Sequence, residues 1–429
     1  MTKNDKILCS VEPWDSILRT NRPNGTSRTW YYEETGHPQF LFTITEDIIR
    51  YCLENNQFVD CNIFACGDEF EKVEIHEIGD RKHLYIIRVA SHSFFRKNLN
   101  VGFSPISPKV LVDVKEGKCR IIIEMTTEGQ YFETPGTEFA VIERWRIKEG
   151  LPPYSVTVMS GNLLARDIVE KNDYKLRAYG VSTFEGFFVM PQDYIDTPEK
   201  IVEFKPNDKK NLFLSYNRNV RFHRVYLVAK LNESQLLHRG KISYQLGDTT
   251  FEKLSPKLYN KTKFDILKRG GSRFVDSDLK NNLAQSINMS HYETTFLSLV
   301  SETTASVNSI FFSEKIFKPI GLGHPFIILG NPNSLAKLKE MGYKTFDKWI
   351  DESYDSISDP YLRTQAIVDE VNKFREYSND KLKGIREEMK EILIHNKKHY
   401  IKQAEIKAGN HLHLPIAQEV KEEWKDLLQ

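Results

Sequence analysis

The chain has 429 residues, 40% of them hydrophobic and 28% charged, with a net charge of +1. This composition is typical of a soluble globular protein, and the length predicts two or three domains of about 100–200 residues each. No segment approaches the roughly 20 apolar residues of a membrane span, and the first residues lack a signal-peptide pattern, so the sequence predicts a cytoplasmic protein without a membrane partner.

The five cysteines are odd in number and lack CxxC spacing, which predicts reduced side chains without a disulfide or a metal. They are Cys9, Cys52, Cys61, Cys66 and Cys119.

The first half of the chain becomes regular only after its first hundred residues. Candidate strands occur at "CNIFACG" and "KHLYIIRVAS", and residues 1–105 are interpreted as the beginning of a domain with an appended layer. From Lys118, "KCRIIIEM", "YSVTVMSGN" and "KLRAYGV" are predicted strands, separated by the helical patterns "TEFAVIERWRIKEG" and "LLARDIVEKND". This alternation predicts right-handed crossovers in a parallel sheet.

The same alternation restarts after "EFKPNDKK". Strands are predicted at "NLFLSYN", "KISYQLG", "TTFLSLVSET" and "PFIILG", with a helix over 220–239 that Gly240 closes. The sequence therefore predicts an α/β protein with two Rossmann-like domains and a cleft between them. The expected domains are 1–205 on the acceptor side, 206–385 on the nucleotide side, and a helical segment over 386–429 that crosses back onto the first domain as a hinge.

The stretch "FFSEKIFKPIGLGHPFIILG" places an acid and a base at the start of a helix. Ser313 is a predicted N-cap for a short helix from Glu314 to about Leu322, with Pro319 inside it. A helix N-terminus and Lys315 together attract a phosphate, and Glu314 can accept hydrogen bonds from a ribose diol. The alternative is an ordinary exposed ion pair at a capped helix start.

A second cluster, "SYNRNVRFHR", carries Arg218, Arg221 and Arg224 at a turn from a strand into a helix. Arginine forks suit phosphate oxygens, so these side chains are candidates for binding a diphosphate. A basic surface at a helix start is the structural alternative.

These two motifs resemble the nucleotide-binding half of GT-B glycosyltransferases, and most closely the fucosyltransferase-like and exostosin-like enzymes and related transferases of bacteriophages. The matched positions, over about 210–350, are Glu302, Phe311, Glu314, Lys315, Gly323 and Pro325. The resemblance implies that Glu314 holds the ribose and that Lys315 and one of the three arginines hold the diphosphate. The aromatic position is usually a tyrosine and is Phe311 here, without a hydroxyl. A phage origin would place the protein in the host cytoplasm.

The resemblance implies a glycosyltransferase that uses a nucleotide-sugar donor, most simply a UDP-sugar, with no bound cofactor and no metal. Asp276 and Asp278 could hold a divalent ion, but acids in such an irregular stretch more often cap turns. His395 and His399 are four residues apart on a predicted helix, but a zinc site is not expected there. An inverting reaction also needs a base, for which Glu128 is the first candidate and Glu124 the second. The alternative for each glutamate is that it is an ordinary solvated acid on a loop.

The acceptor is suggested by charge. From Lys205 to Arg273 the chain holds sixteen Lys and Arg against five Asp and Glu, a local net charge of +11. That is more than a diphosphate needs, and the lysines over 253–269 could follow a nucleic-acid backbone. The favoured acceptor is therefore a hydroxymethylated base in duplex DNA, flipped out to be reached. The alternatives are a glycan or small-molecule acceptor, and a non-enzymatic nucleic-acid-binding protein on a degenerate two-domain scaffold.

Overall fold

The computed structural model describes residues 7–11, 70–88, 106, 108–125, 137–186, 190–207, 209–217, 219–246, 261–275, 287–305 and 309–410. The chain divides into two compact units. Unit 1 comprises Met1–Thr183 and Ile406–Gln429, and unit 2 comprises Phe184–Glu405.

Unit 1 contains a six-stranded sheet in which every neighbouring pair of strands is parallel, in the order β2-β1-β3-β4-β5-β6. The strands are β1 (Ile7–Val11), β2 (Phe70–Glu74), β3 (His83–Arg88), β4 (Cys119–Met125), β5 (Val156–Ser160) and β6 (Arg177–Gly180), and the helices are α1 (Pro108–Lys115), α2 (Thr137–Lys148) and α3 (Ala165–Lys171). Helix side chains such as Val110, Phe139 and Trp145 pack with Ile121 and Val158 of the strands in one hydrophobic core.

Strands β1, β2 and β3 belong to the same sheet as β4–β6. The described part of residues 1–105 therefore extends the main sheet rather than forming an added layer, and "CNIFACG" lies outside the described residues. The predicted strands at "KHLYIIRVAS", "KCRIIIEM", "YSVTVMSGN" and "KLRAYGV" are confirmed as β3–β6. Cys119 at the start of β4 is a buried free thiol.

Unit 2 contains a four-stranded parallel sheet in the order β10-β9-β7-β8. Its strands are β7 (Phe213–Asn217), β8 (Gly240–Tyr244), β9 (Leu297–Ser301) and β10 (Phe326–Leu329). Its helices are α4 (Gln192–Ile195), α5 (Phe222–Glu233), α6 (Lys261–Arg269), α7 (Met289–Glu293), α8 (Glu314–Leu322), α9 (Ser334–Glu340), α10 (Pro360–Lys373), α11 (Asn379–Glu388) and α12 (Lys390–Asn410), the last of which extends into unit 1 at Ile406. Every residue of β9 and β10 is buried, as the apolar runs predict for strands covered on both faces.

The predicted helix that Gly240 closes is wrong in its extent. Helix α5 ends at Glu233, Gln235 takes a left-handed φ of 55°, and a single 3₁₀ turn over Leu237–Arg239 leads into Gly240, the first residue of β8. Asn232 and Ser234 are weak helix formers, so the helix has little propensity to continue beyond Glu233. The apolar spacing does continue beyond Glu233, which is why the sequence predicts a longer helix.

Helix α8 is confirmed as predicted, from Glu314 to Leu322 with Ser313 as its N-cap and Pro319 inside it. Gly323 ends it in a left-handed conformation, with φ of 64°. The C-terminal part of unit 2 is helical, as expected, and α10 packs on α5 through Tyr361, whose ring centroid lies 5.4 Å from that of Phe222 and 5.0 Å from that of Tyr226.

None of the helices in the described part of the chain combines the length and the apolar character needed to span a bilayer.

Candidate functional site

The carboxyl ends of β7 and β9 form the topological switch point of the unit 2 sheet. The two strands are neighbours, but β7 is followed by β8 on one side and β9 by β10 on the other. In open parallel sheets, ligands bind in the crevice that opens at such a point. Asn217 is the last residue of β7, Ser301 is the last of β9, and Glu302 follows directly.

Ser313 and Glu302 build the N-terminus of α8 at this edge. The Ser313 hydroxyl donates to Glu302 Oε2 at 2.5 Å and accepts from the backbone N–H of Lys315 at 3.3 Å. Glu302 Oε1 accepts from the Ser313 backbone N–H at 3.1 Å. Glu302 is fully buried, and burial raises the pKa of its carboxyl, although Lys315 and Ser313 oppose that shift. Glu302 therefore holds the helix start in place rather than facing a ligand.

Glu314 and Lys315 lie in the first turn of α8 and remain partly accessible. Lys315 Nζ lies 2.8 Å from Glu314 Oε1 and 3.2 Å from the Ser313 hydroxyl, with side-chain exposures of 26% for Lys315 and 20% for Glu314. Burial raises the pKa of Glu314, but the charge and hydrogen bond of Lys315 outweigh it and hold the pKa below its ordinary value. The helix start thus presents an ionised carboxylate and an ammonium side by side.

Two side chains of α5 hold the backbone that follows β9. His223 Nε2 lies 2.9 Å from the carbonyl oxygen of Glu302, and Arg224 donates to the carbonyls of Ser301 at 3.2 Å and Glu302 at 3.1 Å. Burial, with the charge of Arg224, lowers the pKa of His223 to about 3, so its ring is neutral. Because a carbonyl only accepts, Nε2 carries the proton.

Arg363 of α10 holds the same loop after β9, a role that the sequence did not predict. Its side chain is buried and donates to the carbonyl of Ala305 at 2.9 Å and to that of Ser358 at 3.3 Å. Burial lowers its pKa to about 10, so it stays charged at neutral pH. The positive charges of Arg224, Arg221 and Arg363 all contribute to lowering the pKa of His223. No local motif marks Arg363, because its role depends on how α10 packs.

Several buried polar atoms on the loops and strand ends of unit 2 have no hydrogen-bond partner among the described residues: Asn217 Oδ1, Ser301 Oγ, Ser309 Oγ and Asn331 Oδ1. The orientation of Asn217 is fixed by its neighbours, because Ser215 donates to the carbonyl of Leu299 at 2.8 Å and so accepts from Asn217 Nδ2 at 2.9 Å. Its carbonyl oxygen therefore faces away from Ser215. Buried polar groups are nearly always paired, so the unpaired atoms of Asn217 and Ser301, at the ends of β7 and β9, are compatible with a binding site at the switch point.

The structure brings together five of the sequence-predicted residues, all in unit 2: Arg224, Glu302, Ser313, Glu314 and Lys315. Arg221 is the N-cap residue of α5 in the same region. Arg224 is almost fully buried and donates to backbone carbonyls, so it supports the loop.

In the residues that it describes, the structure does not bring the remaining sequence-predicted candidates into this group. Arg218, Glu128, Asp276 and Asp278 lie outside the described residues, and Glu124 is the sixth residue of β4, paired through the backbone with Met159 of β5. His395 and His399 lie 3.0 Å and 2.7 Å from the carbonyls of Gly342 and Met341, respectively. In the described part of the chain, no three His, Cys, Asp or Glu side chains are grouped as metal ligands would be.

Comparison with protein-family models gives no match, and no curated protein matches the sequence significantly.

Proposed function

We propose that the protein is a nucleotide-sugar-dependent glycosyltransferase, with the nucleoside diphosphate bound at the carboxyl edge of the unit 2 sheet. The observation that carries the proposal is the accessible Glu314–Lys315 pair in the first turn of α8, beside the β7/β9 switch point. A helix N-terminus with a lysine attracts a diphosphate, and an ionised carboxylate beside it accepts from a ribose diol. A site for phosphate alone has no use for a carboxylate there.

The residues divide into those that meet the donor and those that hold the site. Lys315 and the N–H groups of α8 stabilise the negative charge that develops on the diphosphate as its bond to the sugar breaks. Arg221 adds charge from the start of α5. Glu302, Ser313, His223, Arg224 and Arg363 keep this backbone in position through the hydrogen bonds described above.

In the transfer step, an acceptor hydroxyl forms a bond to the anomeric carbon and the diphosphate leaves with the bonding electron pair. An inverting enzyme needs a base for the hydroxyl proton, and Glu128 and Glu124 remain the candidates from the sequence. The cationic groups around the leaving diphosphate make a metal ion unnecessary for charge neutralisation in this proposal.

The favoured acceptor is a hydroxymethylated base in DNA, since the chain between Lys205 and Arg273 has a net charge of +11. A glycan or small-molecule acceptor is the alternative within the same class of enzyme. A non-enzymatic nucleic-acid-binding protein would also use the basic segment, but it would gain nothing from an ionised Glu314.

The proposal is tested by calorimetric titration of UDP, GDP and ADP into the wild type and Glu314→Ala. One nucleotide is expected to bind, and the substitution should weaken it by about 10- to 100-fold, since it removes a hydrogen bond to a charged group. Glu340→Ala is the matched control, because Glu340 also forms a 2.8 Å ion pair with a lysine, Lys337.

Release of nucleoside diphosphate from the matching nucleotide sugar then tests transfer itself. If none of the three nucleotides binds and the protein retains DNA with a steep salt dependence, the proposal fails and the nucleic-acid-binding alternative replaces it.

A further inference from the structure

Helix α6 and the segment that follows it carry a basic surface in unit 2. Over residues 261–275 the cations are Lys261, Lys263, Lys268, Arg269 and Arg273, and the one acid is Asp265, giving a local net charge of +4. Lys263, Lys268 and Arg269 are exposed. Ile266 and Phe274 are also exposed, by 62% and 39%. We call the exposed side chains of 263–274 the α6 surface.

The α6 surface is fixed to the core of unit 2. Phe264 and Leu267 are buried on the other face of α6, which packs against α5. The side chains of Asn232 and Lys263 add two hydrogen bonds between the helices, from Asn232 Nδ2 to the Lys263 carbonyl at 3.2 Å and from Lys263 Nζ to the Glu233 carbonyl at 3.0 Å. Helix α6 therefore has a defined orientation, with Lys268 and Arg269 on its exposed side.

The end of the α6 surface is anchored at the carboxyl end of β8. Arg273 pairs with Tyr244, the last residue of β8, through two backbone hydrogen bonds of 2.7 Å and 2.9 Å. The Val275 N–H donates to the Ser243 hydroxyl at 2.9 Å, which fixes the backbone on the other side of Phe274. Because β8 runs parallel to β7, Phe274 lies at the same edge of the sheet as the candidate nucleotide site.

We propose that the α6 surface binds a nucleic-acid strand, with phosphates on Lys268 and Arg269 and an unpaired base stacked on Phe274. The charge is complementary to a polyphosphate backbone, and an exposed aromatic ring beside an arginine is the arrangement on which unpaired bases stack. A lipid surface would require a continuous apolar face, whereas α6 exposes the single apolar side chain Ile266. Only one part of this proposal rests on the proposed function, namely that the bound strand is the acceptor of the sugar.

The test is fluorescence anisotropy of a labelled DNA single strand and of a blunt duplex of the same sequence, titrated with the full chain at several salt concentrations and without nucleotide. The single strand should bind more tightly than the duplex. Lys268→Ala/Arg269→Ala should reduce the slope of log affinity against log salt by about 1–2, because each lost phosphate contact removes about 0.7 from the slope for a single strand.

Phe274→Ala should weaken single-strand binding by at least about fivefold without changing the salt slope, and Phe274→Trp should restore it, because stacking needs only a ring. The matched control is Lys383→Ala/Lys402→Ala, which removes the same charge from two exposed lysines of α11 and α12. The control should leave both affinity and slope unchanged.

Equal losses in the α6 variant and the control variant would overturn the proposal, because binding would then follow net charge alone. The proposal would also be overturned if the duplex bound as tightly as the single strand and Phe274→Ala weakened neither, or if neither DNA bound. Since no nucleotide is present, failure here is distinguishable from failure of the nucleoside diphosphate titration.

Discussion

The hydroxyl of Ser313 connects the buried and the accessible parts of the candidate site. It donates to Glu302 Oε2 at 2.5 Å and accepts from the N–H and the Nζ of Lys315 at 3.3 Å and 3.2 Å. One donor hydrogen and two lone pairs are all that a serine offers, so every hydrogen-bonding position of this hydroxyl is used. The orientation of Lys315 therefore depends on the buried carboxyl of Glu302.

Ser313→Ala removes both the helix cap and a partner of the Glu302 carboxylate. We expect it to lower the free energy of unfolding by about 2–4 kcal/mol, measured by urea denaturation, because the loss of the cap adds to the loss of a hydrogen bond to a buried carboxyl. After the substitution, that carboxyl keeps only the backbone N–H groups of Thr303 and residue 313 as donors. Ser313→Thr keeps the hydroxyl and should recover most of this loss. A stability of Ser313→Ala within about 0.5 kcal/mol of the wild type would show that Glu302 is paired in another way.

His223 gives a prediction for acid conditions. Burial and the charge of Arg224 lower its pKa from 6.5 to about 3, so the unfolded chain binds one proton more than the folded chain between these values. Stability should therefore rise with pH from about 3 to 6.5 and level off above, with a contribution of up to about 1.4 kcal/mol per pH unit from this group.

The measurement is the difference in unfolding free energy between the wild type and His223→Gln over the same range. The difference should grow in favour of the wild type as pH rises, because the glutamine cannot titrate. A difference that is constant, or that falls with pH, would contradict a neutral buried imidazole.

At the scale of elements, helices α5 and α10 position the loop after β9 through Arg224 and Arg363. The sequence predicted α8 closely because its signals are local: a serine cap, a buried helix face and a glycine at the end. The end of α5 was predicted wrongly, because apolar spacing continues beyond Glu233. Strand β2 was not predicted, since "FEKVE" alternates with charges at the edge of the sheet.

The roles of His223 and Arg363 could not be predicted, because both side chains act on backbone carbonyls from elements distant in sequence. Arg224 has the residue type that binds phosphate, and only its burial shows that it supports the loop. Residue type and spacing thus identified the region of the candidate site, whereas tertiary packing decides which cations are accessible.

Two glycines in unit 2 should respond oppositely to alanine. Gly323 ends α8 with φ of 64°, and a Cβ there would lie 2.4 Å from Ile201 Cγ2, so Gly323→Ala should destabilise by at least about 2 kcal/mol. Gly384 lies inside α11 with no atom within 4 Å of an added Cβ, so Gly384→Ala should stabilise by about 0.5–1 kcal/mol. Urea denaturation compares the two, and shifts of the same sign would contradict these backbone conformations.

At the scale of the whole molecule, two parallel sheets with intervening helices agree with the two-domain Rossmann-like architecture predicted from the sequence. In unit 2 the order of strands places one switch point between β7 and β9, and the polar residues that carry the proposal lie at that edge. The positive charge of the chain is concentrated in the same unit, between Lys205 and Arg273. The proposed function depends on this single edge of one sheet.

The most direct test of that claim is hydrogen–deuterium exchange of the full chain with and without UDP, GDP and ADP, at the highest concentration used in the titration. One nucleotide should slow exchange in peptides that cover 219–224, 302–305 and 309–316, and Glu314→Ala should reduce the effect. Protection confined to other peptides, or no protection by any of the three, would contradict a nucleotide site at the carboxyl edge of the unit 2 sheet.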